Sequence, residues 1–304
     1  MATLTAVTEQ SVRRRVKYRS RSRDRKWALR WSYFFLSIFV VFFLMPPVYM
    51  LITSLKSSAE ISAATSPWIV YNPTLDNYVA LLTSSQFLTF FRNSVVVAVS
   101  VVIITMLISI PAAFALARLR FWGSATFAAG VFLCYLVADT LLFIPLFKMM
   151  AALRDLTGIE LFNRWYVLLV IYPTLTVPFC TWIMIGYFAS IPKELDEAAI
   201  IDGATWWQTL TRIFIPVAMP GLIAAMMFAF TVGWAQFLYP LAFTTSNDQL
   251  VLPGGIVTSL IKGDVFNWGQ IMTGALLGAA PPLIIYAFLM DYYIAGLTAG
   301  ATKG

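Results

Sequence analysis

SIPKELDEAAIIDGATWWQ, residues 190–208, places four acids, Glu194, Asp196, Glu197 and Asp202, within nine positions of a chain otherwise suited to lipid. Across all 304 residues, 60% are hydrophobic, 12% are charged, and the mean hydropathy is +0.79. Working outward from the acidic stretch, the chain resolves into apolar runs on both sides. A helix needs about 20 mostly apolar residues to cross ~30 Å of hydrocarbon. Six runs qualify: 31–55, 93–117, 124–147, 166–189, 217–240 and 271–295. They lack the polar face of a soluble amphipathic helix. They also lack the alternation that the wet lumen of a β-barrel imposes. The expected fold class is an all-α membrane protein with six transmembrane helices, and 190–216 lies between the fourth and fifth.

Composition removes several function classes. The chain has no histidine, so Ser-His and Cys-His catalysis, histidine-ligated metals and histidine proton relays are out of reach. Its two cysteines, Cys134 and Cys180, both fall inside predicted spans and form neither a disulfide framework nor a structural zinc site. No G-x-x-x-x-G-K-[ST] run is present, so the usual phosphate cradle of an ATPase is missing. A membrane enzyme is therefore disfavoured. An ion-coupled secondary transporter remains as the alternative reading. It would need several buried ionisable residues and inverted repeats, where the sequence offers one such residue and no repeat.

Residues 1–30 form a basic tail holding ten of the 21 Lys and Arg. It runs directly into the first apolar run, which is too long for a signal-peptide core. We read the tail as a topological signal that also contacts membrane lipids, not as a nucleic-acid site. With the N-terminus inside, the cytoplasmic segments carry fifteen basic residues. The outer segments carry six: Lys56, Arg92, Lys148, Arg154, Arg164 and Lys262. That asymmetry predicts both termini, and the acidic segment, on the cytoplasmic side.

Within the segment, Pro192 suits a first helical turn. The acids that follow favour the positive end of the helix dipole. Leu195, Ala198, Ala199 and Asp202 share one face, and Gly203 is a natural stop. A helix this short is marginal alone and needs a surface to pack on. It is either a connector lying on the bilayer or a docking element. Interfacial helices pair Lys/Arg with bulky apolar anchors, whereas this one is acidic with a small-residue face. The balance favours protein docking.

The run Glu197, Ala198, Ala199, Asp202, Gly203 and Ala204 resembles the EAA loop of ATP-binding-cassette importer membrane subunits, and Ile213, Pro216 and Pro220 continue that pattern. The preceding Trp206-Trp207-Gln208 resembles the carbohydrate-importer branch. Further stretches resemble MalG-like inner-membrane permease subunits of maltose-type carbohydrate importers. These are SLKSSAEI (54–61), PTLDNYVALL (73–82), FRNSVVVA (91–98), AAFALARLRFWG (112–123) and GLTAGATKG (296–304). The resemblance covers 31–304 as one permease domain with its EAA loop at 190–216, and leaves out the tail.

The resemblance implies a type I importer permease fold and a multi-pass subunit of the bacterial cytoplasmic membrane. It implies four kinds of partner: a second, MalF-like permease, a dimer of ATPase subunits, a periplasmic or secreted solute-binding protein, and lipid. No cofactor is expected on this chain, and ATP and Mg belong to the ATPases. The ATPase-coupling set is Leu195, Glu197, Ala198, Ala199, Asp202, Gly203 and Ala204. The C-terminal run with Lys303 is expected to reach towards the ATPases.

Asp139 is the one charge well inside a predicted span, so it should face the pore or a partner. It can take a sugar hydroxyl or serve as an interhelical acceptor. Where many family members have W-N-D or W-N-E, this chain has Trp234-Ala235-Gln236, an amide in place of the acid. Asp139, Trp234 and Gln236 form the expected solute-pathway set. An aromatic packing role for Trp234 is equally compatible. In the outer loop 241–270, Pro253, Gly254 and Gly255 are the expected binding-protein contact. Pro46-Pro47, Pro145, Pro173, Pro178, Pro240 and Pro281-Pro282 are expected to interrupt spans.

Overall fold

A computed structural model describes residues 21–63, 66–84, 86–119, 121–262 and 265–301. Most of the basic tail, Arg120 and Lys303 lie outside the described residues. The chain divides into two units, residues 1–49 and 50–304.

The described part of the first unit is helical and belongs to α1 (Arg21–Ser54), whose last five residues fall in the second unit. Its side chains from Arg25 to Tyr49 are all exposed. That suits a segment whose solvent is lipid, because hydrocarbon is no worse than a protein core for Phe, Leu and Val.

The second unit follows in chain order: α2 (Ser58–Ser62), α3 (Asp76–Ser84), α4 (Phe87–Arg118), α5 (Ser124–Tyr135), α6 (Asp139–Thr157) and α7 (Leu168–Ser190). Next come α8 (Glu194–Ile201), α9 (Trp206–Thr209), a π-turn (Leu210–Phe214), α10 (Ile215–Val217) and α11 (Met219–Ala235). The chain closes with α12 (Leu238–Phe243), α13 (Leu252–Leu260), a two-residue hairpin of β1 (Ile261–Lys262) and β2 (Val265–Phe266), and α14 (Trp268–Ala301). Among the described residues, four helices are long and apolar enough to cross a membrane: α1, α4, α14 and the run Trp165–Ser190 that contains α7. Two bent pairs complete the set. The α5–α6 pair turns by 100° and the pair Trp206–Val217 with α11 by 84°.

The breaks do not fall at the expected prolines. Helices α1, α6, α7 and α14 run through Pro46-Pro47, Pro145, Pro173, Pro178 and Pro281-Pro282. The chain turns instead at Leu136–Ala138, at Ala218 and at Gln236–Phe237. Pro216 and Pro220 flank the bend at Ala218 and sit in the first turns of α10 and α11, where a missing N–H costs nothing. At 136–138 the cause is a local cap. Ala138 takes an extended backbone, and Asp139 opens α6 at the positive end of its dipole.

α4 packs most extensively on α7, and α11 lies against both. Two hydroxyl contacts tie α4 to α7 inside the core: Thr105 with Thr176 at 2.6 Å, and Ser109 to the Val177 carbonyl at 3.3 Å. Buried between apolar helices, such groups must find each other. α11 approaches α4 closely at Gly233, where a Cβ would stand 3.1 Å from the Ala98 Cα. On α14, Gly278 and Gly274 receive Leu252 and Ile256 of α13.

At the far end of the unit, SLKSSAEI makes a buried polar knot. Lys56 and Glu60 are 5% and 6% exposed with 4.0 Å between their charged groups. Lys56 Nζ donates to the Ser66 carbonyl at 2.6 Å, and Glu60 accepts from the backbone N–H of Tyr71 at 3.0 Å. Asn77 of α3 donates to the carbonyls of Ser54 and Lys56. The motif fastens the segment 66–77 onto the end of α1.

Candidate coupling helix and solute route

The acidic segment forms α8, eight residues long. It begins at Glu194 rather than at Pro192, whose carbonyl accepts from Leu195 N–H. Its C-terminus is closed by two backbone bonds, Gly203 N–H to Ile200 O at 3.0 Å and Ala204 N–H to Ala199 O at 2.9 Å. Gly203 takes φ +72° there, a left-handed conformation that costs an L-residue roughly 1–2 kcal/mol. Asp202 is the cap residue and its side chain is exposed.

Of the expected coupling set, Leu195, Glu197, Ala198, Asp202 and Gly203 are exposed and Ala204 is half-buried. Ala199 is turned inward, 3% exposed. The largest apolar side chains on display are two the sequence face left out, Ile200 (55% exposed) and Ile201 (85%). They fall between Ala199 and Asp202, off the Leu195–Ala198–Ala199–Asp202 stripe. Unusual apolar residues beside a helix stop were the available signal. Beyond the loop, Thr205 and Gln208 form a reciprocal capping box that starts α9, with Trp206 and Trp207 exposed.

Asp196 does not face outward. Its carboxylate is paired at 3.0 Å with Arg118, the last residue of α4, whose side chain is 5% exposed. The sequence marks Arg118 only as part of a motif.

At the two breaks, Asp139 and Gln236 meet. Gln236 Nε2 donates to Asp139 Oδ2 at 3.0 Å, and the Tyr239 hydroxyl donates to the Asp139 backbone carbonyl at 2.8 Å. Residues 97 positions apart are thus brought together where two spans bend. Trp234 is buried, 4% exposed. Its indole N–H donates to the Gly278 carbonyl, and its ring stacks on Phe230.

Pro253, Gly254 and Gly255 lie in the first turn of α13, not in an open loop. Gly254 and Gly255 are buried, and a Cβ at Gly255 would stand 2.4 Å from the Phe90 ring of α4. We therefore expect Gly255→Val to lower stability by about 1–3 kcal/mol, the usual cost of overpacking, visible as a lower melting midpoint of the purified complex.

The groups that do open outward lie nearby. Glu160, Phe162, Asn163, Arg164, Ser246, Asp248 and Gln249 line a cavity of about 420 Å³. Asn163 holds its two sides together. It accepts from the N–H groups of Thr245 and Ser246 and donates to the Ser246 hydroxyl at 2.6 Å. This cavity adjoins the start of α7, at the opposite end of that helix from α8.

The family model described as binding-protein-dependent transport system inner membrane component matches residues 79–298. The chain belongs to that family. It is 35% identical over 269 residues to the sulfoquinovosyl glycerol transport system permease protein SmoH of Agrobacterium fabrum, covering 88% of this chain and 92% of that protein. Identity is 32% to the trehalose/maltose transport system permease protein MalG of Thermococcus litoralis, over 86% and 92% of the two chains. A bacterial ABC transporter that imports the acidic polysaccharide alginate shares the fold, with a TM-score of 0.76 at 22% identity over 90% of this permease and 98% of that chain. The permease is an all-α, multi-pass membrane protein of the type I importer fold, with up to six candidate crossings among the described residues when each bent pair counts as one. Nothing supports an ion-coupled carrier.

Proposed function

We propose that this permease is the non-catalytic translocating subunit of an ATP-driven importer for a carbohydrate or sugar derivative. The carrying observation is α8: a short helix braced from behind by Arg118 that offers Leu195, Ile200 and Ile201 to an outside surface. A helix so placed suits docking in a cleft of an ATPase subunit, with Ala198, Glu197, Asp202 and Gly203 completing the contact. ATP and Mg sit on the ATPase dimer, and this chain holds no cofactor. A second, MalF-like permease completes the pore. Both termini lie in the cytoplasm, following the positive-charge asymmetry. ATP-driven closure of the ATPases shifts the pore between inward-open and outward-open states through their unequal grip on α8 in the two.

Carbohydrate as solute rests on relatives described as permeases for trehalose/maltose, diacetylchitobiose and arabinooligosaccharides. The paired Asp139 and Gln236 supply a carboxylate and an amide at the bends of two spans, groups suited to sugar hydroxyls. The cleft around Asn163 is the surface we assign to the secreted solute-binding protein, in place of residues 253–255. A related alginate transporter has been solved in complex with its sugar-bound periplasmic protein.

Reconstitution tests the reading. Liposomes holding the permease, its partner permease and the ATPases should take up labelled oligosaccharide only with ATP and the binding protein. Uptake by this chain alone on an ion gradient would refute it. In the working system, Asp139→Ala is expected to raise the half-saturating solute concentration for uptake about tenfold, the share of one charge-assisted hydrogen bond. An unchanged half-saturation would remove Asp139 from the route.

A further inference from the structure

Arg118 touches four elements with one planar group. It ends α4, and its Nη1 donates to Asp196 Oδ2 of α8 at 3.0 Å. Its Nη2 donates to the carbonyls of Phe188 and Ile191, at and just beyond the last turn of α7. Its guanidinium carbon lies 4.8 Å from the ring centre of Phe214 in the π-turn that precedes α11. A cation suits the C-terminal carbonyls of α7. A forked, flat donor serves a carboxylate and two carbonyls from fixed positions while stacking on an aromatic face; a compact ammonium has three donors but neither the fork nor the flat face.

α8 has two covalent routes into the membrane. Through Ile191–Lys193 it joins α7, and there the guanidinium binds the carbonyls on one side and Asp196 on the other. Through 202–218 it joins α11 by a longer path, by way of Gly203, an exposed turn and a π-turn whose buried Phe214 packs on Phe114 of α4 and Phe188 of α7. We propose that Arg118 is a positioning residue for energy coupling. It makes α8 one rigid body with α4 and α7, so that movement imposed on α8 enters the pore through those two helices. The inference rests on α8 being the ATPase-docking helix.

The test uses the complete importer in liposomes and reads sugar taken up per ATP hydrolysed. Arg118→Met is expected to lower that ratio roughly tenfold, within the usual range of coupling between sites, while the ATPase subunits still co-purify. Arg118→Lys, which keeps the charge but not the fork, should not restore it. A role in holding the fold alone would lower uptake and hydrolysis together and leave the ratio unchanged. Should Arg118→Met give no complex, Asp196→Asn decides. It keeps the side-chain shape on a surface helix and is expected to lower the ratio about threefold. A ratio within about twofold of the parent in every variant that assembles overturns the inference. If ATPases remain bound to an Ile201→Glu permease, the docking reading itself fails and takes this inference with it.

Discussion

Replacing Ile201 with glutamate is expected to leave the permease inserted and folded but to strip it of its ATPase subunits. Ile201 is 85% exposed and makes no part of a described core cluster, so the fold loses nothing by the change. In the docked state the same side chain would be buried. Moving one isoleucine out of water contributes about 1.5–3 kcal/mol. A carboxylate in its place forfeits that gain and adds the cost of desolvating a charge. The sum is at least roughly 3 kcal/mol, or more than a hundredfold in affinity. Co-purification of tagged permease with its ATPases reads this directly, and Ile201→Leu should behave as the parent. Ala198→Arg should act in the same direction, because Ala198 is exposed and a long cation there holds the partner backbone off. Undiminished ATPase recovery with both variants would mean the docking face lies elsewhere.

The second large effect concerns the C-terminal end of the first helix. Glu60→Ala removes one member of a nearly dry ion pair, leaving Lys56 charged and buried. Breaking such a pair from one side typically costs about 3–5 kcal/mol. Here Tyr71 N–H also loses its acceptor. The permease should lose a large part of its stability, seen as a fall in melting midpoint or as rapid proteolysis of the 66–72 loop. The double change Lys56→Met with Glu60→Leu should be milder than Glu60→Ala alone, since no uncompensated charge is left behind. A single change milder than the double would show that the pair is wetter than its 5% and 6% exposure implies.

Much of the fold was legible because lipid simplifies the sequence signal. A run of about 20 apolar residues means little else than a crossing, and the runs at 93–117, 166–189 and 271–295 fall within long helices of the expected kind. The breaks at 136–138 and 236–237 were not legible. Prolines drew attention to positions where the helices continue, because proline kinks at membrane depth are tolerated once neighbouring groups satisfy the backbone. The real turns fall at extended capping residues, Ala138 and Gln236, and carry no residue-type signature.

At the candidate site, the existence of α8 was readable from charge and spacing, but its exposed face was not. A stripe at helical spacing tells which residues lie together, without saying which way the stripe points. Ala199 turned inward, and Ile201 was left facing out. The Arg118–Asp196 pair joins residues 78 positions apart, and one sequence contains nothing that links them. The meeting of Asp139 with Gln236 was hidden for the same reason.

Gly203 has a consequence for how this importer tolerates change. Its backbone angle fixes the length of α8 at eight residues, about 12 Å. One more residue of helix would swing the next position by about 100° around the axis, re-aiming the tryptophan pair and all that follows. The phasing between α8 and the helices that follow it is thus stored in a single torsion. Insertions or deletions between 194 and 203 should be far less tolerated than substitutions at the same positions.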